Sequence, residues 1–329
     1  MTRREFFVRA SCAAAALAAP LDATATSAAG GAKSPERARR GAQAMFVSLN
    51  GAVTRGVSGA DKIRLAANVG YGGVDWDLAP AQAAGLEATR ALFADLHIIP
   101  SIVNLPMARP LPFAGDDAAF KDALARLAED AAFVAAVGCR KMMVVLPAST
   151  TMDPAAQRRL AVDRLTAVAE VLRKSEIRLG VEFLGPLYFR MPRPGGPPSE
   201  PFIWNMHDAL ALAKDTGANV GVILDAWHWH HSGSTAADIA EAGASRIVHV
   251  HVSDAKAMPA ADVRDNMRLM PGEGVIDLVG FFQALKTAGY TDGVSPEPLG
   301  RVPDTMSPEE GSKLALETTL AVMRRAGVR

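Results

Sequence analysis

A chain of 329 residues with 35 basic and 35 acidic side chains carries no net charge, and so lacks the broad basic footprint expected of a protein whose main partner is nucleic acid. A hydrophobic content of 49%, with 28 glycines and 21 prolines, suits a large core joined by many turns and excludes a disordered or fibrous chain; the length accommodates one α/β domain of roughly 250 residues. Only Cys12 and Cys139 occur, which excludes a disulfide framework.

The amino end reads MTRREFFVRASCAAAALAAP. Thr2-Arg3-Arg4-Glu5-Phe6-Phe7 resembles a twin-arginine export signal, the Ala-rich stretch after it resembles the apolar region of such signals, and Ala23-Thr24-Ala25 offers a cleavage site. We read residues 1–29 as this signal peptide, 30–43 as a small, basic linker and 44–329 as the folded domain. The expectation is a periplasmic or extracellular protein, carried by the twin-arginine translocase during export, without a stable membrane anchor and with Cys139 as its one thiol. A disordered tail with a chance arginine pair is the alternative.

From Met45 onward, short apolar runs alternate with longer amphipathic ones, the pattern of βα units around a parallel sheet. Eight units can be counted. Strands are expected at Met45–Asn50, Gly73–Asp77, Ile98–Asn104, Lys141–Leu146, Arg178–Phe183, Val220–Asp225, Ile247–Val252 and Gly293–Ser295. The helices between them are expected at Gly59–Asn68, Pro80–Leu96, Asp116–Val137, Pro154–Lys174, Met206–Thr216, Thr235–Ala242, Leu278–Ala288 and Pro308–Arg325. In the third of these Phe120, Leu124, Leu127, Ala131 and Val134 recur at helical spacing, and Asp153 stands where a helix cap belongs before the fourth. Two connections are long. Leu184–Ile203 is rich in proline and holds Tyr188, Arg190 and Arg193, which suits a lid, a solvated loop or a contact between copies in a homo-oligomer; Ser253–Gly274 is the other. Together these describe a single (β/α)8 barrel.

Active sites of such barrels lie at the carboxyl ends of the strands. Four successive strands end there in Glu182, Asp225, His251 and Glu297. One acid at a strand end often does no more than cap the next helix, but four donors in succession on one rim describe a site for one divalent metal. Three carboxylates and one imidazole are mostly hard donors, which favours Mn2+, with Mg2+, Co2+ or Zn2+ as alternatives. His249 shares a strand face with His251 one layer deeper and is expected to be packed and hydrogen-bonded in support of the ligands. Trp227 and Trp229 offer a platform for a sugar ring or pack the rim. Asp75, Trp76, Asp77 and Asn104 lie at strand ends too, with helix capping an equal explanation for Asp77.

The succession VEFLGP, ILDAWHWHHSG, VHVHVSD, PGEGVID and SPEP resembles the sugar phosphate isomerase/epimerase family, the xylose isomerase-like TIM barrels that also include AP endonucleases. The resemblance implies that Glu182, Asp225, His251 and Glu297 bind one metal and that Glu182 and Glu297 are the catalytic acid and base. It also implies that His228, in the D-x-x-H position, binds substrate, and that Arg268 in R-x-x-P-G-E-G does so with Glu273 beside it. A metal chelating a carbonyl and its neighbouring hydroxyl stabilises the enediolate left when the carbon between them loses a proton. Glutamates on the two faces of the sugar then return the proton elsewhere, giving epimerisation or isomerisation. The expected substrate is a keto sugar, keto-glycoside or inosose, a small sugar or polyol without phosphate. A dehydratase (lyase) acting on a related keto-polyol, a non-catalytic periplasmic sugar-binding protein and an AP endonuclease-like nuclease remain as alternatives.

Overall fold

A computed structural model describes residues 44–329 apart from Pro110 and Arg193. The export signal, the linker, Cys12 and the expectation for Arg193 lie outside the described residues. The barrel strands are β1 (Phe46–Leu49), β2 (Gly73–Asp75), β3 (Ile99–Asn104), β4 (Lys141–Val145), β5 (Arg178–Glu182), β6 (Val220–Asp225), β7 (Ile247–Val252) and β8 (Gly293–Pro296). Each pairs in parallel with its neighbours in sequence, and β8 closes on β1 through Phe46 opposite Gly293. β6 and β7 are buried along their whole length, as expected of parallel strands covered by helices outside and side chains within. Closure turns eight short apolar runs into one wall and leaves no open edge.

The long helices α4 (Asp117–Val137) and α5 (Pro154–Lys174) begin where their caps direct. Asp116 accepts from the Ala118 amide at 2.6 Å and Asp153 from the Ala156 amide at 2.8 Å, satisfying donors that the first helical turn leaves free. α4 buries Phe120, Leu127, Ala131 and Val134, with Leu124 half-buried at the edge of the same stripe. The single helix expected at Pro80–Leu96 is two, α2 (Leu78–Ala84) and α3 (Leu86–Asp95), because Gly85 between them takes φ 90°. Only glycine enters that region freely, and it ends the first helix without leaving a loop. Outside the barrel α1 (Gly59–Val69), α7 (Met206–Thr216), α9 (Ala236–Arg246), α10 (Leu278–Thr287) and α11 (Pro308–Arg325) complete the ring.

The described residues of the proline-rich connection are structured. They form the short α6 (Leu187–Arg190), and Glu200–Pro201 pairs antiparallel with Ser149–Thr150 in the loop after β4. A second short helix, α8 (Ala226–His231), follows β6 directly. No helix among the described residues is long and apolar enough to cross a membrane.

One buried arginine ties down the loop between β3 and α4. Arg164 donates to the carbonyls of Leu111 at 2.6 Å, Ala114 at 2.8 Å and Gly115 at 3.0 Å and pairs with Asp117 at 2.6 Å. Asp117 is exposed, so the three carbonyls carry the stabilisation. Arg164→Ala is expected to destabilise the fold by about 3 kcal/mol in urea unfolding; an effect below about 1 kcal/mol would show that water satisfies those carbonyls equally well.

Candidate metal centre

Strand register sets the site. Asp225 ends β6 opposite His251 on β7, and Ser295 on β8 stands opposite His251 on the other side. Glu182 ends β5, and Glu297 is the first residue beyond β8. Their ligand atoms all lie within 4.8 Å of one another. His251 Nδ1 is 3.1 Å from Glu182 Oε1 and 3.5 Å from Glu297 Oε2, so the two glutamates approach one imidazole nitrogen from strands separated by β6 and β7. Asp225 and His251 are fully buried, and Glu297 keeps an edge on the cavity.

Charges of both signs meet within the cluster. Burial alone would push the His251 imidazole down, but Glu297 and Glu182 outweigh it and raise its pKa well above the ordinary value. Burial also pushes the Asp225 carboxyl up; Arg268, His228 and His251 reverse this and hold it at about 2. Glu297 is lowered in the same way, by His251 and Arg268 against its burial. Arg268 Nη1 lies 2.7 Å from Asp225 Oδ2 and 3.2 Å from Glu297 Oε2, while its other nitrogens donate to Asp265 at 2.9 and 2.6 Å. Three carboxylates thus surround one imidazole, with one guanidinium beside them. That donor set fits a divalent cation, which would take the place of the imidazole proton at Nδ1 and neutralise the carboxylates directly.

A cavity of about 340 Å³ opens over the cluster. His228, Arg268, Asp265 and Phe189 line it on the ligand side, and Asn50, Trp76, Lys62 and Asn104 line the opposite rim. Phe189 comes from the proline-rich connection and meets the His228 ring edge-on at 6.2 Å. Tyr188 accepts from the Asp265 amide at 3.1 Å, while Arg190 stacks on Trp204 at 3.7 Å and donates to the Gly185 carbonyl. That connection therefore covers the site through Phe189, with Arg190 turned to a structural contact.

His228 and Arg268 reach the cavity, as the sequence pattern suggests; three other residues expected to bind substrate stand elsewhere. Trp227 is buried beneath Arg268, its ring 5.4 Å from the guanidinium. Trp229 packs against Phe281 at 5.3 Å and donates its indole N–H to the Thr235 carbonyl at 3.1 Å. Both tryptophans pack the rim and neither lines the cavity; the aromatic lining comes from Trp76 and Phe189. Glu273 is held by Arg301 through two bonds of 2.9 Å at the surface, away from the cavity. Asp77 does not cap α2 with its side chain but pairs with the buried Lys62 at 2.8 Å. Asp265 escaped the sequence reading; its one signal is a D-x-x-R spacing inside a loop without periodicity.

Residues 63–324 match the family described as the xylose isomerase-like TIM barrel. The chain belongs to that family. Among curated relatives, an inosose isomerase of Halalkalibacterium halodurans is 28% identical over 169 residues, 51% of this chain and 56% of the relative. An inosose isomerase of Bacillus velezensis is 36% identical over 115 residues, 35% of this chain and 40% of the relative. The matched stretches thus span about half the length of these relatives or less. Among solved structures, a xylose isomerase domain protein from Alicyclobacillus acidocaldarius is 28% identical with a TM-score of 0.77, covering 86% of this chain and 100% of that one. The IOLI protein with a binding zinc atom superposes with a TM-score of 0.72 at 22% identity over 86% of this chain and 99% of that one, a likeness of fold.

Proposed function

We propose that this chain is a divalent-metal-dependent sugar isomerase or epimerase acting on a keto sugar, keto-glycoside or inosose. The observation that carries this reading is the pair Glu182 and Glu297, brought to one imidazole nitrogen from separate strands at the floor of an open polar cavity. The inosose isomerases among its relatives support the substrate class.

Glu182, Asp225, His251 and Glu297 would hold a divalent cation, whose chemistry there would be to polarise a carbonyl and its adjacent hydroxyl and so acidify the carbon between them; the hard donor set favours Mn2+. Arg268, fixed by Asp265, donates to a substrate oxygen and helps bind and orient the sugar. His228 holds a neighbouring hydroxyl. One glutamate takes the proton from carbon, and the other returns it to the opposite face of that carbon, or to the next carbon, giving an epimer or an isomer. Phe189 limits the entry of water above the reacting carbons.

The twin-arginine pattern at Thr2–Phe7 supports action outside the cytoplasm on a sugar without phosphate, since phosphosugars are intracellular intermediates. A dehydratase on a related keto-polyol shares the first proton transfer, and loss of a hydroxyl from the next carbon distinguishes it. The purified protein is expected to hold about one divalent cation per chain and to catalyse uptake of solvent deuterium into a keto sugar or inosose. No cation after incubation with Mn2+, Mg2+, Co2+ and Zn2+ in turn would overturn the reading and leave a sugar-binding barrel.

A further inference from the structure

Beneath the four candidate ligands, the β1–β3 side of the barrel interior is polar. Asp75, at the end of β2, projects there, and its carboxylate is bound on both oxygens. Oδ1 accepts from Ser48 at 2.8 Å and from Ser295 at 2.9 Å, and Oδ2 accepts from the Asn50 amide at 3.0 Å. His249 Nε2 lies 2.7 Å from the Ser295 hydroxyl and 3.4 Å from Asp75 Oδ1. Ser101, the extra residue on β3 where the pairing with β2 shifts register, closes the group with its hydroxyl 2.8 Å from Ser48. Room for the His249 ring depends on Gly293, where a Cβ would stand 2.9 Å from its Cε1. Partners from three other strands hold one carboxylate, and a carboxylate held this way has a fixed direction.

Asp75 faces His251. Oδ2 lies 3.9 Å from His251 Nε2, a buried nitrogen without a hydrogen-bond partner among the described residues. The other nitrogen of the ring, Nδ1, points at Glu182 and Glu297. A neutral imidazole offers a lone pair at Nδ1 only when its proton sits on Nε2, and a proton there needs an acceptor in so buried a place. We propose that Asp75 is a positioning residue that holds His251 in the Nε2–H tautomer, so that the Nδ1 lone pair is aimed at the cation, and that Ser48, Asn50, Ser295 and His249 fix Asp75 for this purpose. The proposal rests on the reading of the four-residue cluster as a metal site. Nδ1 lies 3.1 Å from Glu182 Oε1, and a ring shift of about 1 Å would bring Nε2 within bonding reach of Asp75.

Asp75, His249 and His251 also present ligand atoms within 4.8 Å of one another, the geometry of a second cation site. The hydrogen bonds decide against it. Three donors already occupy the carboxylate and Ser295 occupies His249 Nε2, so an ion would have to displace four contacts inside the barrel.

The test is Co2+ affinity of the full chain by competition with a chromophoric chelator, with the visible spectrum of bound Co2+ as a second readout and urea unfolding of the cation-free protein as a control for folding. Wild type is expected to bind one Co2+ per chain. Asp75→Asn keeps the shape but loses the charge that fixes the tautomer, and is expected to bind Co2+ about 10- to 100-fold more weakly with an altered spectrum. Ser295→Ala, which removes one donor to Asp75, is expected to move both readouts the same way to a smaller extent, and carries the test if Asp75→Asn does not fold. Unchanged affinity and spectrum in the folded variant would overturn the proposal and leave the metal site standing. Two Co2+ per wild-type chain, one of them lost in Asp75→Asn, would overturn it in favour of a second cation. No Co2+ in wild type would overturn the proposed function itself.

Discussion

Glu297→Gln is expected to lower turnover of a keto sugar or inosose about 10³-fold, the contribution of a positioned acid or base, while sugar affinity stays within a few-fold. Glutamine matches glutamate in size and can still accept from Arg268, whose Nη1 lies 3.2 Å from Glu297 Oε2, so the cavity wall is kept and the proton carrier is lost. Glu182→Gln is expected to do the same from the other side of the His251 ring. A two-base reaction gives the pair a signature. With one glutamate removed, the remaining one still exchanges the proton on its own face of the sugar, so deuterium uptake into one epimer survives while conversion to the other stops. Turnover within about tenfold of wild type in both variants would remove the glutamates from proton transfer. A wild-type protein that binds the sugar without any exchange would be a binder. Cation affinity of each variant must be measured beside turnover, because both residues are also candidate ligands.

The four candidate ligands were legible because strand ends have a simple grammar. An apolar run of five or six residues followed by an acid fixes both the strand and the rim position, and parallel register then sets Asp225 opposite His251, with Glu182 opposite Ile223 two residues before it. Gly85 shows where local reading falls short, since an isolated glycine inside a helical period reads as a tolerated defect until its φ of 90° is seen. Trp227 and Trp229 were left between a sugar platform and rim packing for another reason: aromatic content near a site is visible in sequence, but which way a residue faces on the six-residue α8 is not. Asp75 shows the deepest limit. Its partners Ser48, Asn50, His249 and Ser295 come from three other strands, and short polar residues inside apolar runs look like weak strand positions until closure of the barrel stacks them. Glu273 was drawn toward the site by its motif, yet the turn it occupies delivers it to Arg301.

Arg268→Met is expected to destabilise the cation-free protein by about 3–5 kcal/mol, the penalty for leaving buried charge without its partner. Arg268 is 2% exposed and bonds Asp225, Glu297 and Asp265 together, so its removal strands carboxylates whose burial favours the neutral form. The pH dependence follows from the same balance. In wild type the Asp225 carboxyl is held at about 2, so its stabilising contribution is full above the unfolded value of about 3.9 and is lost as pH falls through about 2. In the variant, burial dominates and the shift reverses, so the penalty is present at neutral pH and relieved on acidification as the carboxyl takes up a proton. The gap between variant and wild type in urea unfolding is therefore expected to narrow from pH 7 toward pH 4. Saturating Mn2+ or Co2+ is expected to narrow it too, because a cation bound only by the folded state stabilises it in proportion to its affinity, and carboxylates freed of Arg268 bind it more tightly. A deficit independent of both pH and cation would assign Arg268 to packing over Trp227, whose ring lies 5.4 Å from its guanidinium.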